Sequence, residues 1–363
     1  MTLSVQKIRY PPFEPDQMEP SGVPIIEVAI EHDGDSPTQF AIGNTEDWHV
    51  EWRDYKEEDS NLRVYPSNVY RKTPDFINKS RLGWYIDPDP LHNVSRRLIY
   101  PTVIILICTL FIHAIEPVLV ETGIITKAIA GAYRIGPLEY PKLLFISFPI
   151  FLMPLLFRTW ANFRDFTKQK VFLRTPIDSV EMNSEINRGC VIISNVSLPT
   201  DIIPIKIRCQ VGVAIPKRSA VDNALGRLER MQPPPGMSTK LPEKRVATTD
   251  ETGTGVGEVA PMQASESKML MLEPMRIMES GEWKDVPTGN AQSVINMQIP
   301  LPLNEWPGTV YSDLIAIHWE LVIQCKFGSM DCKWVQPIIM EESNEPITIG
   351  KAPVKSGRVE LSN

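Results

Sequence analysis

Hydrophobic and polar positions follow two different rules along this chain. In the middle lie two nearly uninterrupted apolar runs, Leu98–Val120 and Leu143–Trp160. Outside them the apolar residues mostly alternate with polar ones. A helix needs about 20 apolar residues to cross the roughly 30 Å of bilayer hydrocarbon, and both runs come close to that length. Neither carries the polar stripe at period 3.6 that marks a helix buried in a water-soluble core, which is the competing reading. Pro149 and Pro154 would weaken a helix in water but are tolerated in transmembrane helices. The pattern predicts a transmembrane hairpin over 96–164, with helices at about 98–120 and 143–160.

After the hairpin the period changes to two. Ile203, Ile205, Ile207, Cys209, Val211, Val213 and Ile215 alternate with residues that include Lys206, Arg208 and Gln210. This predicts a strand with one buried and one exposed face. Ile295, Met297, Ile299, Leu301 and Leu303 repeat the pattern, with Pro300 and Pro302 opposite, as expected for an edge strand or its exit. Leu314–Val335 reads as a hairpin turning at Gly328-Ser329. Folding there sets Phe327 opposite Met330, Cys325 opposite Cys332, Ile323 opposite Trp334 and Lys326 opposite Asp331. The apolar faces of both arms then coincide. His318 and Glu320 fall on the other face and are expected to be exposed.

Ser219–Met231 has helical apolar spacing. Gln232–Lys268 has no aromatic residue and is rich in proline, glycine, threonine and charge. Such a segment buries too little apolar surface to offset its ordering entropy, so a disordered insertion is expected. Its Pro233-Pro234-Pro235 is either a rigid spacer or a ligand for a proline-recognising partner.

The segment MQIPLPLNEWPGTVYSDLIAIHWELVI, Met297–Ile323, resembles the arrestin-like β-sandwich superfamily: a strand runs into proline, a turn follows, then a long strand carries Trp319-Glu320-Leu321. The resemblance extends over Phe172–Met340. It implies a mainly β fold, an immunoglobulin/arrestin-like antiparallel β-sandwich, and a binding role, but assigns no functional residue. The expected organisation is a disordered tail (1–22), a β-rich region (23–95), the hairpin, a sandwich domain (172–345) with its insertion (232–268), and a tail (346–363). Whether the N-terminal strands complete the C-terminal sandwich stays open at this level. Trp84 and Tyr85, just before the hairpin, fit either an interfacial anchor or a packed pair.

Charge sets the orientation. Lys79, Arg81, Arg96 and Arg97 precede the first run, and Arg158, Arg164, Lys168, Lys170 and Arg174 follow the second; the loop between has Lys127, Arg134 and Lys142. By the positive-inside rule both termini of this integral membrane protein are expected in the cytoplasm. No charged region followed by an apolar core opens the chain, so no cleaved signal peptide is expected. Five scattered cysteines suit a reducing compartment. A net charge of −7 argues against nucleic acid as a partner, despite Trp48, Trp52, Tyr55, Tyr65 and Tyr70 lying among arginines.

Candidate chemistry is sparse. His113 and Glu116 share a helix face within the first run, and intramembrane ionisable groups often act as relays or ion ligands; a helix-end role is the alternative. No catalytic, phosphate-binding, zinc or calcium motif is present. No cofactor is expected. The sequence reading is a non-enzymatic scaffold or adaptor whose partners are the lipid bilayer, other proteins and, in one form, further copies of itself. The alternatives are an accessory subunit of a membrane transporter or membrane enzyme, and a structural envelope or coat protein.

Overall fold

The computed structural model describes residues 1–12, 14–86, 89–126, 130–174, 180–187, 189–198, 201–228, 246–247, 259–260, 268–269, 275–287, 297–328 and 330–356. The chain forms two compact units: Met1–Asp87 with Thr175–Asn363, and Pro88–Arg174.

The first unit opens with strands β1 (Thr2–Arg9), β2 (Ile26–His32), β3 (Phe40–Gly43), β4 (His49–Asp54) and β5 (Val64–Pro66). They form one sheet in the order β3-β4-β1-β2-β5. Residues 1–22, expected as a disordered tail, therefore supply a central strand, with Val5 and Ile8 in the core. The reason this strand escaped notice is that its polar positions are buried as well. Ser4 Oγ lies 3.0 Å from His32 Nε2 and 2.8 Å from Ser36 Oγ. Gln6 Nε2 donates to Ser312 Oγ over 2.9 Å. Trp48 and Trp52 are core residues of this sheet, and Trp52 stacks at a tilt on Phe40. They form no exposed aromatic platform.

A short helix, α1 (Asp75–Arg81), and strand β6 (Gly83–Ile86) follow. The second unit holds helix α2 (Leu91–Glu121), the small hairpin β7 (Ala132–Ile135) and β8 (Leu138–Pro141), and helix α3 (Lys142–Arg174). Both helices extend beyond the expected bounds. At 1.5 Å per residue, their 31 and 33 residues reach about 46 and 50 Å, more than a hydrocarbon core requires. Strands of four residues are too short to cross a membrane, so β7 and β8 only connect the helices.

The chain then returns to the first unit with β9 (Glu181–Asn187), β10 (Cys190–Ser197), β11 (Ile202–Ala214) and α4 (Arg218–Ala224). β12 (Val246–Ala247) and β13 (Val259–Ala260) pair with each other, and β14 (Lys268–Met269) lies parallel to β6. The remaining strands are β15 (Ile277–Ser280), β16 (Lys284–Asp285), β17 (Met297–Pro300), β18 (Val310–Tyr311), β19 (Ala316–Phe327), β20 (Met330–Ile338) and β21 (Ile347–Ile349). Most of the expected insertion, Pro233, Pro234 and Pro235 included, lies outside the described residues. The helix expected over 219–231 is shorter and ends at Ala224.

The β19–β20 hairpin pairs as the sequence predicts, with Phe327 opposite Met330, Cys325 opposite Cys332 and Lys326 opposite Asp331. Gly328 takes φ +58°, the left-handed geometry its turn needs. The sheet continues β14-β6-β20-β19-β11-β15, with β16 beside β11 and β18 beside β19. A smaller sheet has the order β17-β10-β9. Two strand exchanges join the halves of the chain that flank the hairpin. β6 adds to β20, and β21 adds parallel to β3. So 346–363 is not wholly a tail, and the N-terminal strands, whose relation to the C-terminal part the sequence leaves open, share sheets with it. Trp84 and Tyr85, in β6, are a packed pair: Trp84 meets Trp334 edge-on at 5.1 Å.

Candidate functional site

The strand β19 carries a constellation that resembles a catalytic centre. Glu320 is fully buried and accepts from four donors. Arg81 Nε reaches Oε2 at 3.0 Å and Arg81 Nη2 reaches Oε1 at 2.6 Å, a two-pronged clasp. Gln210 Nε2 donates to Oε1 at 2.6 Å, and His318 Nε2 lies 3.0 Å from Oε2. An ionised carboxylate only accepts, so His318 carries its proton on Nε2 and its Nδ1 accepts from the Tyr311 hydroxyl at 2.6 Å. Arg208 extends the chain, donating from Nε to Gln210 Oε1 at 3.1 Å and lying over the Trp283 ring at 4.3 Å.

Burial sets the electrostatics. It pushes the Glu320 carboxyl up, but the Arg81 charge and the His318 hydrogen bond outweigh that, and the group ends well below the usual carboxylate range. Burial pushes His318 down despite its acidic neighbour, and pushes the Tyr311 hydroxyl up. The Arg208 guanidinium is pushed down to about 10 by burial, against the pull of Glu320.

His318 and Glu320 were expected on an exposed face, and both are buried. Helix α1 and the strands packed with it cover that face, which a single strand's alternation cannot report. The same correction applies to β11. Arg208 and Gln210 are buried, whereas Ile203, on the expected core face, is exposed; a bulge between Pro204 and Lys206 shifts the register there. With every acceptor position of Glu320 occupied, this cluster acts as a clamp between residues 239 apart in sequence, Arg81 and Glu320.

A second arrangement faces outward. Glu279, on β15, accepts from the Leu303 and Asn304 backbone N–H groups at 3.0 and 3.2 Å through Oε1. Its Oε2 accepts from Asn304 Nδ2 and Trp306 Nε1, both at 2.8 Å. Trp306 is buried, Trp319 Nε1 donates to Pro307 O at 2.8 Å, and the Thr309 N–H donates to Met340 O at 2.9 Å. This irregular loop is held along its whole length, and at its tip Leu303 is 96% exposed, more than any other large apolar residue described. The expected alternation Met297, Ile299, Leu301, Leu303 thus holds only to Ile299. Proline at 300 and 302 cannot continue the ladder, and the chain turns outward.

In the second unit, His113 Nδ1 lies 2.8 Å from Glu116 Oε2, and Glu116 also accepts the Gly131 N–H. The pair therefore ties the end of α2 to the connecting loop. At the opposite end Asp165 accepts the Asp89 N–H at 2.9 Å and lies 2.8 Å from His92 Nε2, while Arg164 pairs with Asp89 at 3.2 Å. These ion pairs of Asp89 and Asp165 gave no sequence signal; their partners meet only once the helices fold back.

The most buried positions of the two helices carry small or polar residues, and large apolar side chains face outward. Ser95 and Thr102 are the buried residues of α2, and Ser147, Pro154 and Ala161 are buried in α3. Ser95 Oγ donates to Pro154 O at 2.6 Å. Ile107, Phe111, Phe148, Leu155 and Leu156 point outward. Both helices are long and apolar enough to span a membrane. The cysteines Cys209, Cys325 and Cys332 are buried thiols, and burial pushes Cys209 and Cys325 up, away from thiolate chemistry. Among the described residues no cluster of three metal-ligating side chains occurs. Comparison with protein-family models, with curated proteins and with solved structures gave no match.

Proposed function

We propose that this chain is a membrane-anchored, non-catalytic scaffold: the hairpin inserts in a bilayer, and the β-rich unit binds another protein from the cytoplasmic side. The observation that carries the binding role is the loop fixed by Glu279. A single exposed leucine is ordinary on a protein surface. A leucine at the tip of a loop held by four hydrogen bonds to one carboxylate is different, because its presentation costs no ordering when a partner binds. Glu279 holds its backbone N–H and the exposed Glu305 stands two residues further on, so the partner this tip fits has an apolar pocket with a basic rim. Mainly antiparallel sheets whose central strands are buried on both faces support the sandwich reading and, with Met297–Ile323, the arrestin-like resemblance. The membrane reading is supported by the inside-out hairpin, since large apolar side chains face outward where lipid would be the solvent.

The binding role is tested by placing a diazirine-bearing leucine analogue at position 303 in the full-length protein in cells, with position 228, where the leucine is 75% exposed, as the control. One discrete protein adduct specific to 303 is the expected result. Identical labelling at both positions would refute the docking tip. Topology is tested by thiol labelling of intact cells with single cysteines at Ser60, Glu139 and Asp331. Labelling from outside at 139 alone is expected; labelling at 60 and 331 would reverse the orientation.

A further inference from the structure

The smaller sheet, β17-β10-β9, ends on an open edge. Of the strands that end a sheet among the described residues, β9 is the longest at seven residues, and the others have two to four. β10 covers one side of β9, and no described strand covers the other. Such an edge exposes a row of unpaired N–H and C=O groups, which proteins commonly guard with lysine or proline. β9 has neither. Which groups face out follows from the strand on the far side of β10. Pro300 of β17, with no N–H to give, stands opposite Cys190, and the next residue, Leu301, donates its N–H to Gly189 O at 3.5 Å. Odd-numbered positions along β10 therefore bond to β17 and even-numbered ones to β9, because the two kinds of pair alternate along an antiparallel ladder. Cys190, Ile192 and Ser194 pair with Asn187, Glu185 and Asn183. The backbone of those three β9 residues is thus turned inward, and the N–H and C=O groups of Met182, Ser184 and Ile186 point out of the free edge.

The side chains of this edge complement their own reverse. About a two-fold axis at Ser184, an antiparallel second copy sets Met182 opposite Ile186, Asn183 opposite Glu185 and Ser184 opposite itself. Met182 and Ile186 then meet on one face of the sheet. On the other face the exposed Asn183 amide faces the exposed Glu185 carboxylate, in the kind of pair that brings side chains closer together. The acids select that register. Moving the axis to residue 183 sets Glu181 against Glu185, and moving it to residue 185 sets Glu185 against itself. Like charges directly opposite each other are destabilising.

We propose that β9 pairs antiparallel with β9 of a second copy of this chain, about a two-fold axis at Ser184, joining the two three-stranded sheets into one. About six backbone hydrogen bonds form, contributed by the outward groups of Met182, Ser184 and Ile186 in each copy. The pairing needs neither the docking loop nor the bilayer. It extends the scaffold reading, because the Leu303 loop follows β17 in the same sheet and the dimer carries that loop twice.

The test is disulfide crosslinking of the full-length protein, oxidised in cells before extraction, with the wild type as the control for its own cysteines. A hydrogen-bonded antiparallel pair brings Cα atoms to about 5.5 Å, within reach of a disulfide, so Ser184→Cys is expected to give a covalent dimer. Met182→Cys alone is expected to give none, since the two copies of that position lie about 14 Å apart along the strands. Met182→Cys co-expressed with a differently tagged Ile186→Cys should crosslink one to the other. In the Ser184→Cys background, Asn183→Asp sets an acid against Glu185 and should lower the dimer about fivefold, and adding Glu185→Asn should restore it. No dimer with Ser184→Cys, or equal dimer from cysteine at 182, 184 and 186 singly, would overturn the proposal, as would a dimer that Asn183→Asp leaves unchanged. Loss of the specific adduct at position 303 with this dimer intact would count against the docking loop alone.

Discussion

Glu320 shows how one residue's surroundings decide what its chemistry is for. A carboxylate beside histidine, tyrosine and arginine reads as reactive, yet here every acceptor position is filled and no surface is left for a ligand. Removing one partner from such a buried pair is costly, because the remaining charge stays desolvated. Arg81→Met should destabilise the full-length protein in detergent micelles by about 3–5 kcal/mol in thermal unfolding. The double variant Arg81→Met/Glu320→Leu should recover part of that loss, which a purely steric role for Arg81 would not predict. The histidine adds a pH dependence. His318 has its pKa lowered in the folded state, so the unfolded chain binds the extra proton below about pH 6.5. Stability should therefore fall between pH 7 and pH 5, and His318→Gln should flatten that slope. Glu320 acts in a separate window: its lowered pKa contributes stability above about pH 4.3 that is lost only in stronger acid. The Arg53–Asp59 pair is simpler. Asp59 is lowered to about 2 by the hydrogen bonds of Arg53, a two-pronged pair fastening a loop to β4.

At the scale of elements, periodicity was a good guide wherever one face of an element met the core and the other met water. The β19–β20 hairpin is the clearest case, because its register follows from alternation plus a turn glycine. The helices α2 and α3 were equally legible, since uninterrupted apolar runs leave few alternatives. Elements buried on both faces were not. β1 looked like tail because Ser4 and Gln6 occupy positions where a simple strand would place apolar or solvated residues. β11 looked half-exposed because Arg208 and Gln210 are polar, although they are enclosed with Glu320. At Leu303 the strand has ended, which is the exit that Pro300 and Pro302 allowed, but a period-two count does not register what a carboxylate on another strand will hold. Close backbone approach supports that loop too. A Cβ on Gly281 would meet Pro300 O at 2.6 Å and Cys209 O at 3.2 Å. Gly281→Ala should therefore lower thermal stability by about 1–3 kcal/mol and weaken the discrete adduct at position 303, whereas Leu303→Asp, at an exposed position, should leave stability unchanged.

At the scale of the whole molecule, residues on either side of the hairpin fold into one unit. β21 pairs with β3 across more than three hundred residues, and Tyr10 donates to Val213 O while accepting the Arg276 N–H. Deleting 346–363 should then open the N-terminal sheet. Limited proteolysis should show new early cleavage within 1–66, with the helicity of the hairpin unchanged. An unaltered cleavage pattern would mean that the N-terminal strands stand alone. The sequence by itself determined the two long apolar helices, the predominance of strands and the register of the β19–β20 hairpin. Each of these follows from local spacing: a run length, a period, a turn residue. Only the tertiary structure decided which polar groups are core and which apolar residue is surface. It also decided that the chain's two ends share their sheets. Those outcomes depend on partners hundreds of residues away, and local periodicity carries no information about what will cover a face or satisfy a buried donor.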